Sequence, residues 1–320
     1  MVLEKIYVAR HGYRANWLPP PHAPNPTGID SDPPLAPYGV EQAKELANFI
    51  VNSPLVDPKP ELIFSSPFYR CVETSTPLAN AIDVPIFVER GIGEWYKKDR
   101  GVIPEPASLE LLKTFFGRVS ADWDPKTVVP SLEGEDESDI FARCQEFFPK
   151  FLSKFEAAYP QVKTVMFVTH AATKIALGMA ILKYTGVREL LRKEHGGDGK
   201  TVVLRAGTCS LDSYSRNGDS WSLGFNGETS FLEKGEEMNW HFCELFLKLL
   251  RSLVEIYAFG VTTNLLPILA DTYEAGSDED IAERARLAAA AAAAKSESVD
   301  VDDKAGDFLE SEEELEVSAC

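Results

Sequence analysis

Apolar and polar positions along the chain change period several times, and each change marks an element. Lys5–Arg10 (KIYVAR) is a short apolar run that predicts a buried strand. Within 38–51, Ala43, Leu46, Ala47 and Ile50 recur at helical spacing and predict an amphipathic helix. Residues 61–66 (ELIFSS) predict a second strand, and 67–81 a helix with Ser66 as its N-cap and Pro67 in first position. A third strand is expected over 84–89, a long helix over 136–159, a buried strand over 163–169 (KTVMFVT) and a further helix over 171–184. Runs 208–214 and 220–225 flank Arg216-Asn217-Gly218-Asp219, the pattern of a β-hairpin. Strands alternating with helices make residues 1–245 an α/β domain.

Two stretches break the alternation. The Pro-rich segment 19–37 is too long for an ordinary connection. Residues 95–135, rich in Pro, Gly and Asp, are expected to be an irregular insertion that covers something. After residue 245 the character changes. Phe242, Leu245, Phe246, Leu249, Leu250, Leu253, Ile256 and Tyr257 follow helical spacing. They make 246–270 an apolar extension that docks on the domain, binds a partner or is a translated non-coding stretch. Residues 271–320 read as an acidic, Ala-rich and largely disordered tail.

Charge sharpens this division. The chain carries a net charge of −18, and 271–320 alone hold 16 acidic against 4 basic residues. No basic surface is implied, so neither direct nucleic-acid binding nor attachment to anionic lipid is expected. The five cysteines are scattered without a Cys-x-x-Cys pair. That excludes a disulfide framework and a cysteine-rich zinc module, and fits a reducing, cytoplasmic or nuclear location. The charge-free run 256–270 is shorter than the roughly 20 residues of a membrane span, and no signal peptide is visible, so the chain is expected to be soluble.

Chemistry-bearing residues fall at strand ends. Arg10-His11-Gly12 follows the first strand directly, with Arg14 four residues after Arg10. Planar guanidinium groups suit a tetrahedral oxyanion. Ser65-Ser66-Pro67-Phe68-Tyr69-Arg70 repeats the arrangement at a helix start, where unpaired N–H groups attract anions. Thr169-His170-Ala171 puts a second histidine at another strand end. Gly91-Ile92-Gly93-Glu94-Trp95 sets a carboxylate beside a bulky aromatic, a setting expected to desolvate it and raise its pKa. One such element is weak; three strand ends presenting His or Arg at a strand-to-helix switch are not accidental. The remaining histidines read blandly: His22 as solvated loop, His195 as loop, His241 as domain-end packing. Glu133, Glu135 and Asp136 read as a solvated helix start.

Residues 5–12, 35–43 (LAPYGVEQA), 65–76, 91–95 and 165–177 together resemble the histidine phosphatase superfamily, also called phosphoglycerate-mutase-like. The resemblance implies a three-layer α/β/α fold around a central, mostly parallel sheet. It implies a metal-independent, cofactor-free phosphatase in which His11 becomes a phosphohistidine and Glu94 donates the proton. Arg10, Arg14, Arg70 and His170 would bind the phosphate of a small phosphoester or phosphoprotein. Phosphoglycerate mutases usually carry serine where this chain has Arg14. The secreted acid phosphatases and phytases carry a proline at the position of Asn16 and an aspartate at that of Ala171. Glu94-Trp95 is similar instead to members acting on phosphotyrosine-like substrates. Residues 235–242 (GEEMNWHF) and the long Pro-rich loop resemble the fungal branch that includes the phosphatase-like subunit of RNA polymerase III factor TFIIIC. That branch implies a second function class, in which the fold serves as an interaction platform within a transcription factor complex.

Overall fold

A computed structural model of the chain describes residues 3–242. The expected extension 246–270 and tail 271–320 lie outside the described residues. Seven strands form one sheet: β1 Lys5–Arg10, β2 Leu62–Ser65, β3 Ile86–Val88, β4 Val119–Ser120, β5 Thr164–Thr169, β6 Leu211–Asn217 and β7 Ser220–Leu223. Their order is β4-β3-β2-β5-β1-β6-β7, parallel from β4 through β1 and antiparallel at β6 and β7. The central strands β1 and β5 are buried along nearly their whole length, as their unbroken apolar runs require.

Helices cover both faces. α1 (Pro37–Asn52) and α2 (Tyr69–Ala81) bury Leu46, Ile50, Val72 and Leu78 against Tyr7, Ile63, Met166 and Val168. Because alternate strand residues point to opposite faces, Phe64 and Phe167 emerge on the other side. There they meet α4 (Glu137–Ala158), whose Phe151 ring lies 4.9 Å from each of them. α5 (Ala171–Ile181) packs beside α4 and is buried at almost every position. The three-layer expectation holds.

Several boundaries differ from the sequence reading. α2 starts two residues later than expected, with Phe68 rather than Ser66 at its N-cap, because the Ser66 hydroxyl is taken by a histidine. The insertion 95–135 is not wholly irregular. It contains α3 (Leu109–Phe115), capped by Ser108, and the edge strand β4, too short for alternation to show. Asp136 opens α4 through a reciprocal capping box with Asp139. The hairpin strand β6 runs through Asn217, so the turn is shorter than the four residues expected.

Candidate active site

β1, β5 and α2 deliver their polar residues to one place because parallel strands end together at the carboxyl edge of the sheet. Backbone there is packed tightly. A Cβ on Gly12 would meet the Gly39 carbonyl oxygen at 2.6 Å, and one on Gly39 the Tyr13 carbonyl oxygen at 2.1 Å, so α1 rests directly on the turn after His11. The Gly12 N–H donates to Thr74 Oγ1 of α2 (3.1 Å).

The structure brings all six sequence-predicted residues to this edge. His11 is 2% exposed, and its ring centroid lies 5.4 Å from that of His170. His11 Nδ1 is 2.8 Å from its own chain's Gly12 carbonyl oxygen. A carbonyl only accepts, so Nδ1 carries the proton and the Nε2 lone pair is left for chemistry. Burial, then Arg70, Arg10, His170 and Arg14, push the His11 pKa well below its usual value, so the ring is neutral. Arg10 donates to the carbonyls of Ala206 (2.6 Å) and Met238 (2.5 Å). Arg14 lies with its guanidinium 4.6 Å over the Trp17 ring.

Arg70 donates to Glu94 Oε2 (2.8 Å) and to the Ser31 carbonyl (3.2 Å), and lies 3.6 Å from Asp32. His170 Nδ1 is 3.0 Å from the same Glu94 oxygen, and its Nε2 is 2.7 Å from Ser66 Oγ. Burial first, then Arg70 and Arg14, outweigh Glu94 and bring the His170 pKa to about 4. A neutral His170 therefore donates from Nδ1 to Glu94 and accepts from Ser66. Glu94 differs from the sequence expectation. Burial pushes its carboxyl upward, but His170, Arg70 and Arg14 together hold it well below the usual carboxylate range. The aromatic neighbour is present, yet adjacent positive charge decides the direction.

His11, Glu94 and His170 offer ligand atoms within 4.8 Å of one another, a spacing that fits a cation. The three surrounding guanidinium groups make the same place far better suited to an anion. Two buried donors strengthen that reading: Arg70 Nε and Trp17 Nε1 make no hydrogen bond. A narrow cleft of about 30 Å³ opens beside Glu94, lined by Phe68, Arg90, Tyr96, Pro104 and Leu132 among others.

Sequence reasoning missed several supporting residues. Asp32, fully buried in the Pro-rich segment, accepts from the Tyr69 N–H (2.7 Å) and Thr27 Oγ1 (2.9 Å), fixing the start of α2 beside Arg70. No periodicity marks it. Glu135 is not solvated: it forks onto Arg143 at 2.7 and 2.9 Å, and Arg143 also holds the Gly91 carbonyl (2.8 Å), bracing the Glu94 loop from below. Residues 236–242 form a strap. Met238 reaches Arg10, while the Trp240 and Phe242 rings lie 6.1 and 5.4 Å from Trp95. His22 is exposed, His195 meets the Tyr184 hydroxyl (3.0 Å), and His241 is half-buried in the strap.

Against known proteins, residues 6–207 match the model of the histidine phosphatase superfamily, branch 1. The chain belongs to the histidine phosphatase superfamily. It is 46% identical over 267 residues to the transcription factor tau 55 kDa subunit of Saccharomyces cerevisiae, covering 76% of this chain and 59% of that one. The chain thus spans only part of that relative's length. Among solved structures, the ecdysone phosphate phosphatase of Bombyx mori, in complex with tungstate, is similar in fold. It has a TM-score of 0.50 at 18% identity, covering 69% of this chain and 92% of that one. A superfamily match with the strand-end residues gathered at one edge is what the sequence motifs implied.

Proposed function

We propose that the chain is a metal-independent phosphomonoesterase that works through a phosphohistidine on His11. The observation that carries this reading is a neutral, tautomer-fixed imidazole set among the guanidinium groups of Arg10, Arg14 and Arg70. His11 Nε2 attacks phosphorus while the P–O bond to the leaving group breaks. The guanidinium groups and His170 hold the equatorial oxygens as charge shifts. The leaving oxygen takes a proton from Glu94, and water, giving a proton back to the Glu94 carboxylate, then cleaves the P–N bond, returning neutral His11 and inorganic phosphate.

Glu94 reaches its protonated form through binding. An incoming phosphate takes His170 and Arg70 away from the carboxylate, and burial then pushes Glu94 upward. The cleft beyond Glu94 receives the leaving group, and its Phe68 and Tyr96 rings favour an aryl or phosphotyrosine-like one.

The 46% identity to the yeast tau 55 kDa subunit favours a second, compatible role as a subunit of a nuclear transcription factor complex of the TFIIIC kind. The catalytic reading is tested with an aryl phosphate and labelled phosphate trapping. Wild-type protein should turn over the ester without loss on EDTA treatment, be inhibited by orthovanadate and carry label on histidine. His11→Ala should lose at least about 10³-fold of that activity while keeping its melting temperature. Equal turnover by the two proteins would remove His11 from the reaction.

A further inference from the structure

We propose that the Trp17 indole N–H is a further oxyanion donor of the phosphate site. The inference rests on the phosphate reading above and adds a binding group that no strand-end motif supplies. Trp17 closes a short 3-10 turn, Ala15–Trp17, that follows Arg14. Its ring lies 4.6 Å from the Arg14 guanidinium, 5.4 Å from that of Arg10 and 6.0 Å from the His11 ring. The residue is 9% exposed, and Tyr13 packs against it at 5.0 Å.

Stacking on guanidinium groups explains the ring but not the nitrogen. Nε1 is buried and makes no hydrogen bond. An indole nitrogen is donor only, and a buried donor left unmet is destabilising. The groups its ring is seen to meet include the Arg14 and Arg10 guanidinium groups, which only donate, and the neutral His11 ring. A donor set beside such groups is met well by an anion with several acceptor oxygens. A tetrahedral phosphate on the guanidinium groups would present such oxygens, and the trigonal phosphoryl group passing to His11 would hold the contact where charge is shared.

The test uses the full chain with orthovanadate as probe, by calorimetry, so it does not depend on turnover. Trp17→Phe keeps an aromatic cover and removes the N–H. Loss of one hydrogen bond to a charged group predicts roughly tenfold weaker vanadate binding. Binding by Trp17→Phe within twofold of the parent would leave Trp17 as cover alone and overturn the donor role. Failure of the parent to bind either vanadate or inorganic phosphate would overturn the phosphate reading and the donor with it. The unmutated protein gives a second readout should Trp17→Phe not fold. One tryptophan indole N–H resonance should move downfield as vanadate is added, and no movement among the indole signals would count against the proposal.

Discussion

At the scale of single residues, the site is governed by which charges are left unbalanced. His11 is kept neutral by burial and three guanidinium groups, so acidification through pH 6.5 does not remove the proposed nucleophile. Glu94 has the opposite requirement. Its carboxyl is held well below the usual range, so it is ionised at pH 7, and the protonated fraction grows as pH falls. An alkyl leaving group needs that proton and an activated aryl one does not. The ratio of alkyl to aryl turnover is therefore expected to rise from pH 8 to pH 5. Glu94→Gln should flatten the ratio and slow alkyl esters by about 10²- to 10⁴-fold. A ratio indifferent to pH in the wild-type protein would move the proton donor elsewhere. Glu135 is a poor replacement, since both of its oxygens are engaged by Arg143.

Elements place these residues through contacts that tolerate little change. The α1 helix touches the turn after His11 through two glycines, and the clash of a Cβ at Gly39 involves backbone rather than a flexible side chain. Gly39→Ala is expected to cost about 1–3 kcal/mol and to displace Tyr13 and Gly12. Thermal melting should show the loss, and on the phosphatase reading kcat should fall more than KM rises because His11 moves. An unchanged melting temperature would mean that the helix shifts freely. The sequence made the α/β alternation and the strand-end residues Arg10, His11 and His170 legible because apolar period and local motif coincide there, whereas Arg14, Arg70 and Glu94 stand out by motif alone. Ser66 reads as a cap because a helix start and a histidine partner ask for the same hydroxyl. α3 and β4 lacked a long enough period to stand out from Pro and Gly. Asp32 acts across the fold, through Tyr69 and Arg70, and no local pattern announces such distant partners.

The whole molecule sets the field in which an anionic substrate approaches. A cluster of guanidinium groups sits buried in a domain, residues 3–242, whose 32 acidic and 26 basic residues leave it net negative. At low salt the long-range field repels a phosphate dianion, and shortening the Debye length from about 30 to about 8 Å screens that repulsion before it touches the buried contacts. With a small phosphoester, kcat/KM is expected to rise about two- to fivefold between 10 and 150 mM salt. A fall over that range would show that outward-facing basic groups dominate instead. The strap 236–242 bears on how much chain this machinery occupies. The superfamily match ends at residue 207 and already contains every named site residue. Yet β6, the neighbour of β1, comes later, as do the Met238 carbonyl that turns Arg10 and the rings that abut Trp95. A chain severed at 207 would keep every side chain of the proposed phosphate site and lose the grip that aims it.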